Sequence, residues 1–171
     1  MDERTKNMIV ECKRQEESCL YTSTAIFEWL RSLRRWRVAF VVAPIILGTL
    51  ATWPLLAHQD DFKWVTGICA LLAGIAPAVY KALNYDVSLD TLANRAHAFK
   101  ILQDGFRQAS QVTALGSFDD FKVAFDDLMR RMDAAREGSL TPPESFFKKA
   151  QKKIQDGHYS FTVDENLNTT P

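Results

Sequence analysis

The stretch RRWRVAFVVAPIILGTLATWPLLAHQDDFKW, residues 34–64, decides how this chain is read. Over the whole chain the averages are those of a water-soluble protein: a formal net charge of +0, 25% charged residues and a mean hydropathy of -0.16. Yet between Arg37 and Asp60 there is no Asp, Glu, Lys or Arg. Residues 38–57 form an uncharged run of 20. At about 1.5 Å per residue a helix of that length covers the roughly 30 Å hydrocarbon core of a bilayer. A second run, WVTGICALLAGIAPAVY at 64–80, has 17 residues, the short end of spanning length. Both runs are apolar all round, as a lipid-facing or fully buried helix is. The link HQDDFK is short, polar and acidic, which suits a tight turn between antiparallel helices. The expectation is an all-α chain with a two-span transmembrane hairpin at 38–80. The competing arrangement, a buried hairpin at the centre of a soluble bundle, is disfavoured because such core helices are usually shorter and less uniformly apolar.

The flanks give the hairpin an orientation. Arg31, Arg34, Arg35 and Arg37 crowd the approach to the first span and Lys81 follows the second, while the loop holds Asp60, Asp61 and Lys63. Basic flanks stay in the cytoplasm, so both termini are expected inside and the loop outside. Trp36, Trp53, Trp64, Tyr80 and Tyr85 fall near the expected interfaces, where amphipathic rings rest. The polar first 37 residues do not resemble a cleavable signal peptide, so the first span is expected to act as its own signal. Cys12 and Cys19 then lie in a reducing compartment and Cys69 in a span, which predicts free thiols.

Around the hairpin the pattern is helical. In residues 1–37, Ile9, Cys12, Glu16, Cys19, Ser23, Ile26, Leu30 and Leu33 recur in steps of three and four. This seam serves either for packing on the chain's own helical body or for pairing with copies of itself. The region 81–157 is expected to form a cytoplasmic helical bundle, with 158–171 as a tail. Leu89, Leu92, Ala96, Phe99, Leu102 and Phe106 mark one helix, which nothing strongly breaks from the second span. Gly116 closes it, and Ser117 with Asp120 caps the next, whose stripe is Phe118, Phe121, Phe125, Leu128, Met132 and Ala135. Thr141 is the expected N-cap of a last helix, with Pro142 in its first turn and Glu144 completing a capping box, and Gly157 ends it.

Motifs of catalysis are missing: no nucleophile with a base, no phosphate-cradling glycine loop, no metal-ligand spacing around His58, His97 or His158. The pairs Asp119/Asp120 and Asp126/Asp127 read best as a solvated helix face. The chain is therefore expected to be no enzyme and to carry no cofactor or metal. The spans offer Thr49, Thr52 and Thr66 as candidate pore-lining hydroxyls, although threonines more often bond back to their own helix. Ala70, Gly74 and Ala78 form a small-xxx-small ridge for close helix packing in lipid. No charge lies within either span, which speaks against a proton-coupled pump. In ESFFKKAQKKIQ the apolar Phe146, Phe147, Ala150 and Ile154 share one face while Lys148, Lys149, Lys152 and Lys153 share the other. These ammonium groups are candidate anion ligands, with Arg130, Arg131 and Arg136 as a second, weaker cluster; the alternative is an ordinary solvated face. Outside the loop, basic and acidic residues number 20 and 19, so there is no global nucleic-acid footprint.

The order of these parts resembles the SLATT family of small bacterial membrane effectors. The likeness rests on the polar helix with SCLYTSTAIFEWL, the basic-aromatic RRWRVAF, two spans around a short acidic loop, and the following AVYKALNYDVSLDTLANRAHAFKILQDGFRQA. It covers roughly residues 11–136 and carries no catalytic signature. The resemblance implies a homo-oligomer, such as a tetramer, that forms a nucleotide-controlled ion channel in antiphage defence and depolarises the host to arrest or kill it. It also implies a nucleotide or oligonucleotide signal made by a neighbouring nucleotidyltransferase. The alternatives are a holin-like pore former, and a non-conducting membrane anchor that binds a cytoplasmic partner.

Overall fold

The computed structural model describes residues 2–56, 63–82, 89–138 and 140–159. Its elements are helices: α1 (Glu3–Leu56), α2 (Lys63–Ala82), α3 (Leu89–Gln111), a 3₁₀ turn (Thr113–Leu115), α4 (Phe118–Arg136) and α5 (Glu144–Gln155). No strand occurs among the described residues, so the chain is all-α. The expected acidic turn, HQDDFK at 58–63, lies outside the described residues except for Lys63, which opens α2, and the expected run of the second span into the following helix, at 83–88, lies outside them too. So does most of the 158–171 tail. The chain divides into two compact units: Met1–Trp29 with Asp90–Pro171, and Leu30–Leu89.

The first unit has a core of its own. Cys12, Cys19, Ser23 and Ile26, four members of the heptad seam, are buried. The seam therefore packs within its own chain, which decides between the two uses the spacing allowed. From α3 come Leu92, Ala96, Phe99, Leu102 and Phe106, and from α4 Phe121, Leu128, Met132 and Ala135, all buried. Phe106 meets Phe125 edge-on at 6.2 Å, a favoured aromatic geometry. At Gly105 the helices come so close that a β-carbon would sit 2.7 Å from Leu128 Cδ2, so the crossing requires glycine or a displaced leucine. Helix α5 adds Ala150 to the core and little else.

Local chemistry sets the helix ends. Ser117 caps α4 as expected: its Oγ accepts from the Asp120 amide at 3.1 Å, and its hydroxyl donates to Asp120 Oδ2 at 2.6 Å. Arg95 donates to the Ala135 carbonyl at 3.4 Å, placing a cation at the negative end of the α4 dipole. The expected cap at Thr141 is overturned. Helix α5 begins at Glu144, its N-cap is Pro143 with ψ 145, and no side chain bonds to the cap. The reason is Pro-Pro: a residue before proline is kept out of the helical region, so Pro142 cannot open the first turn. At the other end Gly157, with φ 78, closes α5. The amides of His158 and Gly157 donate to the carbonyls of Lys153 and Ile154, both at 3.1 Å, the Schellman arrangement.

The second unit is the hairpin. Within it Phe40 and Tyr80 rings lie 5.6 Å apart, which sets the start of the first apolar run against the end of the second, as antiparallel helices require. Helix α1 continues through Pro44 without a break. On α2 the half-buried positions are Val65 and then Thr66, Cys69, Ala73, Ala76 and Tyr80, the last five in steps of three and four; on α1 they are Phe40, Pro44, Leu47 and Gly48, leading to the buried Ala51. The remaining faces are open. Val38, Val41, Ile45, Ile46 and Leu50 on α1, and Ile68, Leu71, Leu72, Ile75 and Val79 on α2, are all exposed. Only 6% of the apolar window of α1 and 0% of that of α2 is buried. The described residues thus do not bury the hairpin, and these two helices are long and apolar enough to cross a membrane.

Glu16 is the charged member of the seam. Burial raises its carboxyl pKa above the ordinary value, more than Arg107 and Lys13 lower it. A carboxyl with a raised folded-state pKa favours folding fully below its unfolded pKa, and that contribution is lost as pH rises through the folded value. Glu16→Gln is therefore expected to raise the melting temperature at pH 7 relative to the native chain, with the advantage vanishing near pH 4; thermal melts by circular dichroism at the two pH values check this.

Candidate functional site

In the hairpin the expected site residues separate. Thr49 and Thr52 are exposed, and their hydroxyls donate at 2.8 Å to the carbonyls of Ile45 and Thr49. Both thus make the back-bond to their own helix, the commoner use of a helical threonine. The Thr66 hydroxyl is buried in the hairpin seam and makes no hydrogen bond. Ala70, Gly74 and Ala78 are exposed, and a β-carbon built at Gly74 would meet nothing within 4 Å. The hairpin closes on a different line of α2, through Cys69, Ala73 and Ala76, and leaves the predicted ridge outward. That second line was present in the sequence, and helical spacing alone does not rank two rows of small residues on one helix.

The lysines of α5 do not act as one cluster. Lys153 ion-pairs with Glu28 of α1 at 2.6 Å, the carboxylate side chain only 9% exposed. Lys148 pairs with Glu144 at 2.8 Å, and Lys149 lies over the Phe146 ring at 5.1 Å from its centroid. Lys152 is exposed. Arg130 and Arg131 both turn to Asp127, at 3.1 and 4.0 Å. Among the described residues, no three His, Cys, Asp or Glu side chains gather as a metal site.

What the fold does assemble is a cleft of about 520 Å³ in the first unit, within the size range of small-molecule sites. Its floor is apolar: Ala25 of α1 and Phe99 of α3, both buried. Its rim is polar or amphipathic and exposed: Arg136 at the end of α4, Thr141 beside Pro142, then Glu144 and Phe147 of α5. Thr22 completes the α1 side; its hydroxyl donates to the Ser18 carbonyl at 2.8 Å and retains lone pairs to accept. Arg136 contacts a carboxylate only at 4.0 Å, from Asp133, the limit of an ion pair. Phe147 stands between this cleft and a smaller hollow of about 300 Å³ that Tyr21 and Arg14 line, with its ring 6.0 Å from that of Tyr21. Of the cationic residues the sequence marks, Arg136 alone lines the larger cleft. The cleft itself was not legible, because it joins positions 22, 99, 136 and 147 from four helices.

The first unit also buries two thiols of α1, Cys12 and Cys19. Burial pushes Cys12 up to about 11, helped by Glu11 and Glu16, and pushes Cys19 up to about 11 against an opposing pull from Arg136. All three cysteines are free. Against family models, curated proteins and solved structures, the chain shows no match.

With pKa values of about 11, only about one in a thousand Cys12 or Cys19 thiols is ionised at pH 8. Both should therefore resist thiol reagents while folded and react within seconds once guanidinium unfolds the first unit. Peptide mapping after timed alkylation checks this; fast labelling of either cysteine in the native state would show that α1 is not packed as described.

Proposed function

We propose that the chain is a membrane effector of the SLATT type: an ion-conducting homo-oligomer of two-span subunits whose helical body receives a small anionic signal of the nucleotide class and whose opening depolarises a bacterial inner membrane during antiphage defence. The observation that carries this reading is the hairpin's exposed apolar surface. A contiguous face of large aliphatic side chains in water is an aggregation liability, whereas in hydrocarbon it is at home. Both are continuous helices, which pair their backbone groups internally apart from those freed at Pro44, Pro54 and Pro77, and this is the other condition for crossing a bilayer.

Assembly follows from the same surface. Two helices enclose no aqueous path, so conduction requires several copies. The outward Ala70–Gly74–Ala78 ridge supports close packing of a second copy in lipid, where small residues let backbones approach. The basic flank, with Arg34, Arg35 and Arg37 exposed, supports a reading in which both termini are cytoplasmic. The ordered helical body weighs against a holin, which needs little beyond its spans, and its cleft favours a ligand-controlled protein. Among the site residues, Arg136 replaces the α5 lysines as the favoured anion ligand. Nucleotide as the signal class, and a neighbouring nucleotidyltransferase as its source, rest on the family resemblance.

Two measurements test this. In intact spheroplasts, an impermeant maleimide is expected to label Gln59→Cys at once and Lys152→Cys only after permeabilisation; the reverse pattern overturns the orientation. In liposomes the purified chain is expected to pass monovalent ions, with a flux that changes on adding a nucleotide fraction from cells carrying its genomic neighbours. An inserted, oligomeric protein that passes no ions in either condition leaves only the non-conducting anchor.

A further inference from the structure

We propose that the cleft between α1, α3 and α5 is a receptor site for a small molecule with an apolar body and a single anionic head group, the body seated over Ala25 and Phe99 and the head held by Arg136. Three features select this class. The floor is apolar and buried, so the part of a ligand that fills it must be apolar as well. One guanidinium stands at the rim, and its carboxylate contact at 4.0 Å is too long to engage its fork of donors. The fork suits a carboxylate or a phosphate, which it can bind by two parallel hydrogen bonds. The other charged residue that lines the cleft, Glu144, is already paired with Lys148 at 2.8 Å, so the lining offers one cation, Arg136, and hence a seat for one anionic group. The Phe147 ring, 46% exposed at the cleft edge, offers a face on which an aromatic body can stack.

The site also has a hinge-like wall. Phe147 and Glu144 belong to α5, whose only buried residue is Ala150. A ligand that bridges Arg136 and Phe147 therefore ties α5 to the end of α4. This deepens the proposed control by a small signal and depends on it only for the effect on flux. Binding to the cleft is a claim of its own.

The test uses the full chain in nanodiscs, titrated by calorimetry against empty-disc blanks. The probes are 1-naphthyl phosphate, laurate, uncharged 1-naphthol and inorganic triphosphate. Saturable binding of naphthyl phosphate or laurate is expected, weakened at least tenfold by Arg136→Gln and unchanged by Arg130→Gln, with 1-naphthol and triphosphate each at least tenfold weaker. Phe147→Ala separates the sources. It should weaken naphthyl phosphate more than laurate if the site takes a soluble aromatic anion, and both alike if it takes an acyl anion from the lipid. Naphthol binding as tightly as naphthyl phosphate, triphosphate binding more tightly than either, or no effect of Arg136→Gln would each overturn the proposal. Flux read with the same probes keeps the two readings apart: binding with unchanged flux upholds the cleft and counts against ligand control of a channel, and a nucleotide effect on flux that survives Arg136→Gln does the converse.

Discussion

Everything in this molecule is arranged around two apolar helices that the chain leaves uncovered. Burying one large aliphatic or aromatic side chain is worth about 1.5–3 kcal/mol. The second half of α1 and the length of α2 together forgo that burial at positions such as Val38, Ile45, Leu50, Ile68, Leu71 and Ile75. These side chains are roughly half exposed, so the six together leave about 5–10 kcal/mol of burial unmade. In lipid the deficit disappears, because the surroundings are as apolar as the side chains. The half-buried line of α2 through Cys69, Ala73 and Ala76 is made of small residues, the kind that lets helix backbones approach closely where there is no hydrophobic drive between helices.

The helical body obeys the opposite rule and is held by burial. Helix α3 buries eight residues, α4 four and α5 one. The attachment of α5 is correspondingly polar and peripheral: the Lys153–Glu28 pair, the Phe147–Tyr21 ring contact and the turn through Pro142 and Pro143. Partly exposed pairs of this kind contribute little, of the order of 1 kcal/mol. Cooperative opening begins where buried apolar contact is least, so α5 is the element of this unit that leaves first. It is also a wall of the largest cleft described.

Architecture was legible in the sequence because it rests on short-range signals. A run of uncharged residues, steps of three and four, Ser117 three residues before Asp120 and Gly157 after the last turn each have one dominant physical reading, and each has its counterpart in the structure. The N-terminus of α5 was misread because two local rules competed at Thr141-Pro142-Pro143, and the restriction that proline imposes on its predecessor prevailed over the capping pattern. Site residues were harder. The α5 lysines form a cluster in sequence, yet Lys153 belongs to an ion pair with a partner 125 positions away. No periodicity announces such a pair.

That pair also shows why charge on a helix face is a poor guide to ligands. A cation is available to bind only when the fold gives it no better anion nearby, and Lys148, Lys153 and Arg130 each have one within 3.1 Å. Arg136, last residue of its helix, has only Asp133 at 4.0 Å, three positions earlier. Its location at the C-terminus of α4 is comfortable, since the helix dipole favours a cation there, so the side chain needs no tight ion pair to stay. A guanidinium held by a dipole and facing an apolar floor keeps its hydrogen-bonding fork for something else. The helix that supplies the opposite side of that floor, through Thr22 and Ala25, is α1, the same helix that carries the first apolar run. A ligand there acts on the membrane-facing half only by as much as it prefers one arrangement of α1 and its neighbours over another. Because α1 is anchored by four buried seam residues and α5 by one, the preference is most cheaply expressed as a change in α5.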